Sequence, residues 1–440
     1  MVGFRSRLAM IGIAFVLMLQ GIGLSTATAA AQDEEITLRV WDQFTGPESE
    51  IVDSIYDGFT EQHPNITIER EAFDTQQMQQ TVNAALGSGT GPDIIFYDTG
   101  PGYAGVLADA DLLLPLDSMA DQYGWRDRIV ESALQGATID GQLLGLPLQI
   151  DLIGLFYNQT LMEQEGFTVP ETVPQLIEFC GQASEAGYIP IAFGDSEGWP
   201  AYHQFSITSN QMLGPDGMRS LLYDGQGSWD SPEITTAIQT FFVDLQEAGC
   251  FNPDVNAINY DDANALFYSG QALMTPTGSW LTGDIAENMP DYEAALVPFP
   301  AIEGGQGSVW VSGLGSAYYI SAASENQEAA GQFLDYLFTP ETAERWVGEA
   351  SFFVPMTVDT ASLELSPLDL SVIEVLDSAA AGETALGYNI DVLTPQNFND
   401  TMLNGFQAIL AGDKTAEELA AELQAAWEEG LAAPAGTPAA

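Results

Sequence analysis

The sequence predicts an α/β protein built on doubly wound sheets. Three observations predict it. Short apolar runs alternate with amphipathic stretches over almost the whole chain after Gln32. The first five of these segments read β-α-β-α-β. Turn residues or helix caps punctuate the joins.

The segments follow in order. Ile36–Trp41 (ITLRVW) alternates with period two and reads as a strand; residues 47–63 carry Ile51, Ile55 and Phe59 at helical spacing. Ile66–Glu71 reads as a second strand and Thr75–Leu86 as a helix. Asp93–Tyr97 (DIIFY) is an apolar strand between Gly91-Pro92 and the loop Asp98-Thr99-Gly100-Pro101-Gly102. In such sheets ligands bind beyond the carboxyl ends of the strands. A second group of units gives strands at Leu152–Tyr157, Ile189–Phe193 and Ala272–Met274. Its helices fall at Pro174–Ala186, Ser231–Ala248 and Tyr260–Ser269. Ser231 and Pro232 form an N-cap and N1 pair, and Gly249 closes that helix. Further helices are expected at Glu325–Phe338, Pro340–Val347 and Thr415–Glu429, the last capped by Thr415 with Glu418. Residues 432–440 read as a flexible tail. No internal repeat is visible.

Composition narrows the function. Of 440 residues, 46% are apolar and 16% charged, which is globular composition. Acids outnumber bases 63 to 9, and Lys414 is the sole lysine. Such a surface repels nucleic acid and anionic lipid. The acids are scattered, which suits solvation in a saline or acidic exterior better than one cation-binding block. Arg5 and Arg7, the apolar run Leu8–Leu24, and Ala29 and Ala31 before Gln32 read as a signal peptide over residues 1–31, cleaved near Ala31. An uncleaved membrane anchor is the alternative. No cysteine stands at the cleavage site, so no lipid anchor is indicated. The expected location is secreted or periplasmic. Cys180 and Cys250 are the only cysteines; export allows a disulfide, with two buried thiols the alternative. His63 and His203 are the only histidines, too few for a metal cluster. No HExxH, Walker or CxxC motif occurs, so no metal or cofactor is expected.

Four stretches carry a family resemblance: GPDIIFYDTGPGYAGVLADADLLLPL (Gly91–Leu116), GQLLGLPLQIDLIGLFYN (Gly141–Asn158), DDANALFYSGQALMTPTGSW (Asp261–Trp280) and SENQEAAGQFLDYLFTPETAERW (Ser324–Trp346). In this order they resemble the extracellular solute-binding proteins of sugar ABC importers, the maltose-binding type. Lysines common in those motifs are replaced here, as at Gln142 and Gln271. The resemblance implies a type II two-lobed periplasmic-binding-protein-like fold. Each lobe would be a mainly parallel sheet flanked by helices, with the ligand cleft between them. It implies an N-terminal lobe of residues 32–149 and 288–340 and a C-terminal lobe of residues 150–287 and 341–431. The chain would cross near Gln149–Leu152, return near Asp284–Asp291 and cross again near Thr339.

The same resemblance implies a monomeric, non-enzymatic receptor that delivers a neutral sugar to a membrane permease. A neutral sugar needs aromatic faces and carboxylate or amide acceptors. Trp280 follows Gly278-Ser279, where the family's stacking tryptophan lies, and Asp151 lies in the crossover, where the family places a carboxylate. The loops after the first and third strands offer Asp42, Gln43, Phe44, Tyr97 and Asp98. Trp199, Trp310 and Phe353 complete the candidates. His203 reads as a satisfied polar residue. Trp125, Trp229, Trp346 and Trp427 read as packing residues. Arg70, Arg126, Arg128, Arg219 and Arg345 fall away from the cleft loops, which argues against an anionic ligand. Rival readings are a polyamine receptor of the same fold, a secreted glycoside hydrolase using paired carboxylates, and a structural adhesion protein.

Overall fold

The computed structural model describes residues 35–432 except position 47. The expected signal peptide and residues 433–440 of the expected tail lie outside the described residues. Thirteen strands occur among them. In chain order they are β1 (Ile36–Asp42), β2 (Ile66–Ala72), β3 (Ile94–Asp98), β4 (Thr138–Ile139), β5 (Gln142–Leu143), β6 (Gly145–Pro147), β7 (Asp151–Asn158), β8 (Ile189–Ile191), β9 (Ala272–Gly278), β10 (Ala294–Val297), β11 (Trp310–Gly313), β12 (Ser316–Ile320) and β13 (Leu386–Tyr388).

Two sheets organise the molecule. The first has the order β2-β1-β3-β12-β6; the second has the order β13-β11-β7-β9-β8, with β10 also paired to β7. β1, β2 and β3 are mutually parallel, while β12 is antiparallel to both β3 and β6. In the second sheet β7 is antiparallel to β9, β10 and β11. The reason is connectivity. β7 and β12 each begin at a passage between the lobes, so they run away from the junction. The other strands of the two sheets run toward it and present their carboxyl ends there.

Side-chain alternation sandwiches the first sheet between two cores. Ile94 and Phe96 of β3 join Leu38, Val40, Phe59, Phe333 and Trp346 on one face. Ile95 and Tyr97 join Met78, Val82, Leu107 and Tyr319 on the other. β7 is divided in the same way. Ile153 and Leu155 face a core containing Phe205, Phe241, Trp229 and Phe406, and Leu152 and Phe156 face one containing Phe267 and Leu281. Trp125, Trp229 and Trp346 are fully buried packing residues, and Trp427 is nearly so.

The lobe boundaries differ from the expected ones. β10 and β11 pair with β7, so residues 294–313 belong to the second lobe. The return falls at Gly313–Ser316 rather than Asp284–Asp291. β7 sits inside its sheet and needs hydrogen-bonded neighbours on both edges, which β10 and β11 supply together with β9. The helix Pro340–Ala350 stays in the first lobe, with Trp346 and Ala350 in its core. Phe352, Val354 and Met356 still pack there. The final passage therefore follows the turn at Thr360–Ser362, and the helix Pro367–Ala380 packs on the second lobe through Leu368 and Val372.

Local chemistry explains the helix ends. Ser231 accepts from the Ile234 N–H, and Thr415 and Glu418 exchange both bonds of a capping box. The helices not foreseen include three long ones, Trp199–Tyr223, Pro367–Ala380 and Gln396–Leu410. The first is broken at Gly214 (φ 72°) before Pro215, and its buried stretch is rich in amides and hydroxyls.

Cys180, on the helix Val173–Ala186, is joined to Cys250 by a disulfide that links residues 70 apart. Tying so long a loop restricts the unfolded chain, so replacing both cysteines by serine should cost roughly 2–4 kcal/mol. Calorimetry should register this as a lower melting temperature. A double variant that melts with the parent would show that the bridge adds no stability.

Candidate functional site

The strand ends, helix starts and passages between the lobes enclose a cavity of about 230 Å³. Both lobes line it. The first contributes the segment after β1, the end of β3 and the start of the helix Thr75–Gly87. The second contributes the segments after β9 and β13 and the start of the helix Trp199–Tyr223. Gln149, Asp151, Gly313, Gly315 and Ser316 come from the passages themselves.

One wall is aromatic. Trp280 is half-buried and donates its indole N–H to Tyr260 Oη at 2.8 Å; that oxygen also meets Thr277 Oγ1 at 2.8 Å. These bonds set the ring's angle. Gly278 makes room for it, since a Cβ there would lie 1.9 Å from the indole. Trp199 packs on Tyr260 at 4.5 Å and edge-on to Trp280 at 6.2 Å. His203, one turn after Trp199, completes the group at 5.3 Å from Trp280.

Acids and neutral residues share the rest of the lining. Glu48, Asp74, Asp98, Asp151, Glu197, Asp261, Asp284 and Asp391 face the cavity, and among the described residues no lysine or arginine does. Asp98 accepts from Ser316 Oγ at 2.9 Å and from Gln79 Nε2 at 3.2 Å. Asp151 accepts from Ser279 Oγ at 2.9 Å. Asp391 accepts from Tyr103 Oη at 3.5 Å, a bond that joins the two lobes. All these partners are neutral, so desolvation is uncompensated. Burial pushes Asp151 up to about 7. Burial, then the charge of Asp98, pushes Asp391 to about 7. Burial also raises Asp98, Glu48 and Asp284; the last is raised further by Glu48, which faces it from the opposite lobe. Burial lowers His203 to about 3, so its ring is neutral.

Six of the ten residues singled out in the sequence meet here: Trp280, Asp151, Trp199, Gln43, Phe44 and Asp98. The other four do not line the cavity. Asp42 is fully buried and held by Arg70, with Nε at 2.6 Å and Nη2 at 2.9 Å, and by the Phe44 N–H and Tyr56 hydroxyl. Burial opposes its charge and Arg70 sustains it. Removing Arg70 would strand that carboxylate at a cost of about 3–5 kcal/mol. Tyr97 points into the core opposite Phe96, by strand alternation. Trp310 lies over Gly154, where a Cβ would meet its ring at 2.8 Å. Phe353 packs with Leu152 and Phe156, while its neighbour Phe352 reaches the cavity.

Residues missed in the sequence include Glu48, Tyr260, Asp284 and Asp391. Tyr260 opens the expected helix Tyr260–Ser269, a place where a cleft contact could have been sought. Asp391 had no signal, because it follows a three-residue strand that the sequence does not announce. Among the described residues no group of three or more His, Cys, Asp or Glu is arranged to hold a metal ion. No described helix is long and apolar enough to cross a membrane.

The family model for bacterial extracellular solute-binding proteins matches residues 41–344. An uncharacterised ABC transporter extracellular-binding protein of Pyrococcus horikoshii is 24% identical over 63% of this chain and 64% of its own length. A multiple sugar-binding protein of Streptococcus mutans is 26% identical over 47% of this chain and 50% of its own. The chain thus spans less than two thirds of these two relatives. A structure from a study of xylan utilisation by Caldanaerobius polysaccharolyticus superposes with a TM-score of 0.79 at 24% identity, covering 88% of this chain and 99% of the other. At that identity the likeness speaks for the fold.

The raised carboxyls set a pH dependence. Asp151 and Asp391 hold protons in the folded state up to about 7, against the ordinary carboxyl value of 3.8. Their contribution is full below that ordinary value and is lost as pH rises through 7. Melting of the ligand-free protein should therefore fall between pH 5 and 8, in salt high enough to screen surface repulsion. The loss should be on the order of a few kcal/mol, and Asp151→Asn should flatten the slope. A profile that rises over this range, or is unaltered in that variant, would contradict the assignment.

Proposed function

The chain belongs to the bacterial extracellular solute-binding proteins, and from that premise we propose that it captures a neutral carbohydrate between its lobes and hands it to the membrane permease of an ABC importer. It acts as a monomer outside the membrane and releases its cargo unchanged. The observation that carries this reading is the pairing of Trp280's anchored ring with Asp98, Asp151 and Asp391 around one cavity. An aromatic face suits the C–H side of a sugar ring, and the acid oxygens suit its hydroxyls. Among the described residues no arginine or lysine lines the cavity, which disfavours a phosphate or carboxylate solute. The cavity volume of about 230 Å³ lies below the roughly 300–1,000 Å³ of drug-sized sites, which favours a mono- or disaccharide over a long chain.

One observation favours a second reading. Eight carboxylates with no cation among them would also suit a polyamine, whose ammonium groups could lie against Trp280 and Trp199. Calorimetric titration separates the two. The probes are D-galactose, maltose, xylobiose, N,N′-diacetylchitobiose, maltotriose and spermidine. A sugar should bind with an affinity nearly independent of salt, whereas spermidine's affinity should fall as salt rises. Trp280→Ala should weaken the bound sugar by about 1–3 kcal/mol while leaving the fold intact. Undiminished binding in that variant would remove Trp280 from the site, and turnover of any glycoside would replace the receptor reading with a hydrolase.

A further inference from the structure

We propose that His203 is the residue of the cleft that reads one hydroxyl of the bound sugar. The inference rests on the carbohydrate reading above and deepens it. His203 is 9% exposed and lines the cavity, its Nδ1 is buried with no hydrogen-bond partner, and its ring makes no side-chain hydrogen bond among the described residues. A buried polar group left unpaired costs free energy, and native structures seldom leave one so.

The surrounding helix makes the omission specific. Gln204 donates to Pro276 O, Ser206 to Tyr202 O, Thr208 to Gln204 O, Asn210 to Tyr388 O and Gln211 to Phe299 O. Ser209 shares the lack of a partner but does not line the cavity. Of this helix's side chains with an unpaired buried polar atom, Trp199 and His203 line the cavity, and of these two only His203 can accept a bond as well as donate one. Packing fixes its position, since its ring lies 5.2 Å from Trp199 and 5.3 Å from Trp280. A neutral imidazole presents one N–H donor and one lone pair, which matches a hydroxyl that can both give and take a hydrogen bond. Such a group does not hold an anion. Its place beside Trp280 puts the polar reader next to the stacking face, so ring stacking and hydroxyl recognition act on the same part of the solute. Gln149, 8% exposed with an unpartnered Nε2, lines the same cavity from the first passage and is a second donor of the same kind.

The test uses the whole protein and whichever sugar of the panel above binds it. His203→Phe keeps the ring and removes both nitrogens. It should weaken that sugar about 10- to 100-fold, while the ligand-free variant melts at or above the parent's temperature. His203→Asn should recover part of the affinity. Among monodeoxy analogues of the sugar, one should cost the parent protein the same factor and cost His203→Phe nothing further. Equal affinity in parent and His203→Phe overturns the proposal. So does a His203→Phe protein that loses stability or fails to fold, because that outcome assigns the side chain a structural role. A parent that binds no sugar of the panel sinks the carbohydrate reading itself, whereas a parent that binds sugar beside an equally tight His203→Phe sinks only the role of His203.

Discussion

Every positive charge among the described residues is committed outside the cleft. Arg70 holds Asp42 and Asp53, Arg126 holds Asp117, Arg128 holds Asp335, Arg219 holds Asp224, Arg345 holds Glu349 and Lys414 holds Glu422. Arg39 is spent on the carbonyls of Thr90 and Gly91. None of the seven bases among the described residues is left for the cavity. The contrast between Asp42 and Asp151 shows the consequence. Burial raises both, but at Asp42 the bonds and charge of Arg70 act against it, whereas Asp151 has only a serine hydroxyl and is pushed up to about 7. Desolvation without a counter-charge thus sets the chemistry of the site.

The backbone brings those acids together through one rule of direction. A strand that begins at a passage between lobes must leave the cleft, and a strand reached through a helix arrives there. β7 and β12 are the two that leave, and Asp151 and Ser316 are their first residues. Asp98, Trp280 and Asp391 follow or end strands that arrive. The lobes also touch beyond the passages. Gly100 lies so close to the Val392 carbonyl that a Cβ would sit 2.0 Å from its oxygen, and Tyr103 reaches Asp391. These contacts join the lobes beside the cavity.

Polar groups in the cleft are kept in states that favour ligand over stability. His203 Nδ1 lacks a partner, Gln149 Nε2 lacks one, and the acids meet only neutral donors. Elsewhere the same helices pair most of their buried amides and hydroxyls. A solute that supplies hydroxyls satisfies these groups at the moment of binding, which is where such a site gains both affinity and selectivity.

The period-two and helical patterns were sufficient to place β1, β2, β3 and β7, the helices Ser49–Gln62 and Thr75–Gly87, and the capping residues Ser231 and Thr415. The family resemblance around Gly278-Ser279-Trp280 pointed to Trp280, which the structure sets in the aromatic wall. Side-chain patterning is local, and these features depend on neighbours. Tertiary structure alone decided the rest. Residues 294–313 joined the second sheet because β7 needed partners on both edges, which the segment's own sequence does not state. Tyr97 and Asp98 adjoin in the chain, yet strand alternation sends one to the core and the other to the cleft. Asp42 was lost to the site because Arg70, 28 residues away, claims it. The helix carrying Trp199 and His203 has buried amides and hydroxyls where an amphipathic pattern would show leucines, since its hydrogen-bond partners come from segments as distant as Phe299 and Tyr388. Whether a polar side chain is satisfied or waiting for a ligand is a property of those distant atoms, and the order of residues does not encode it.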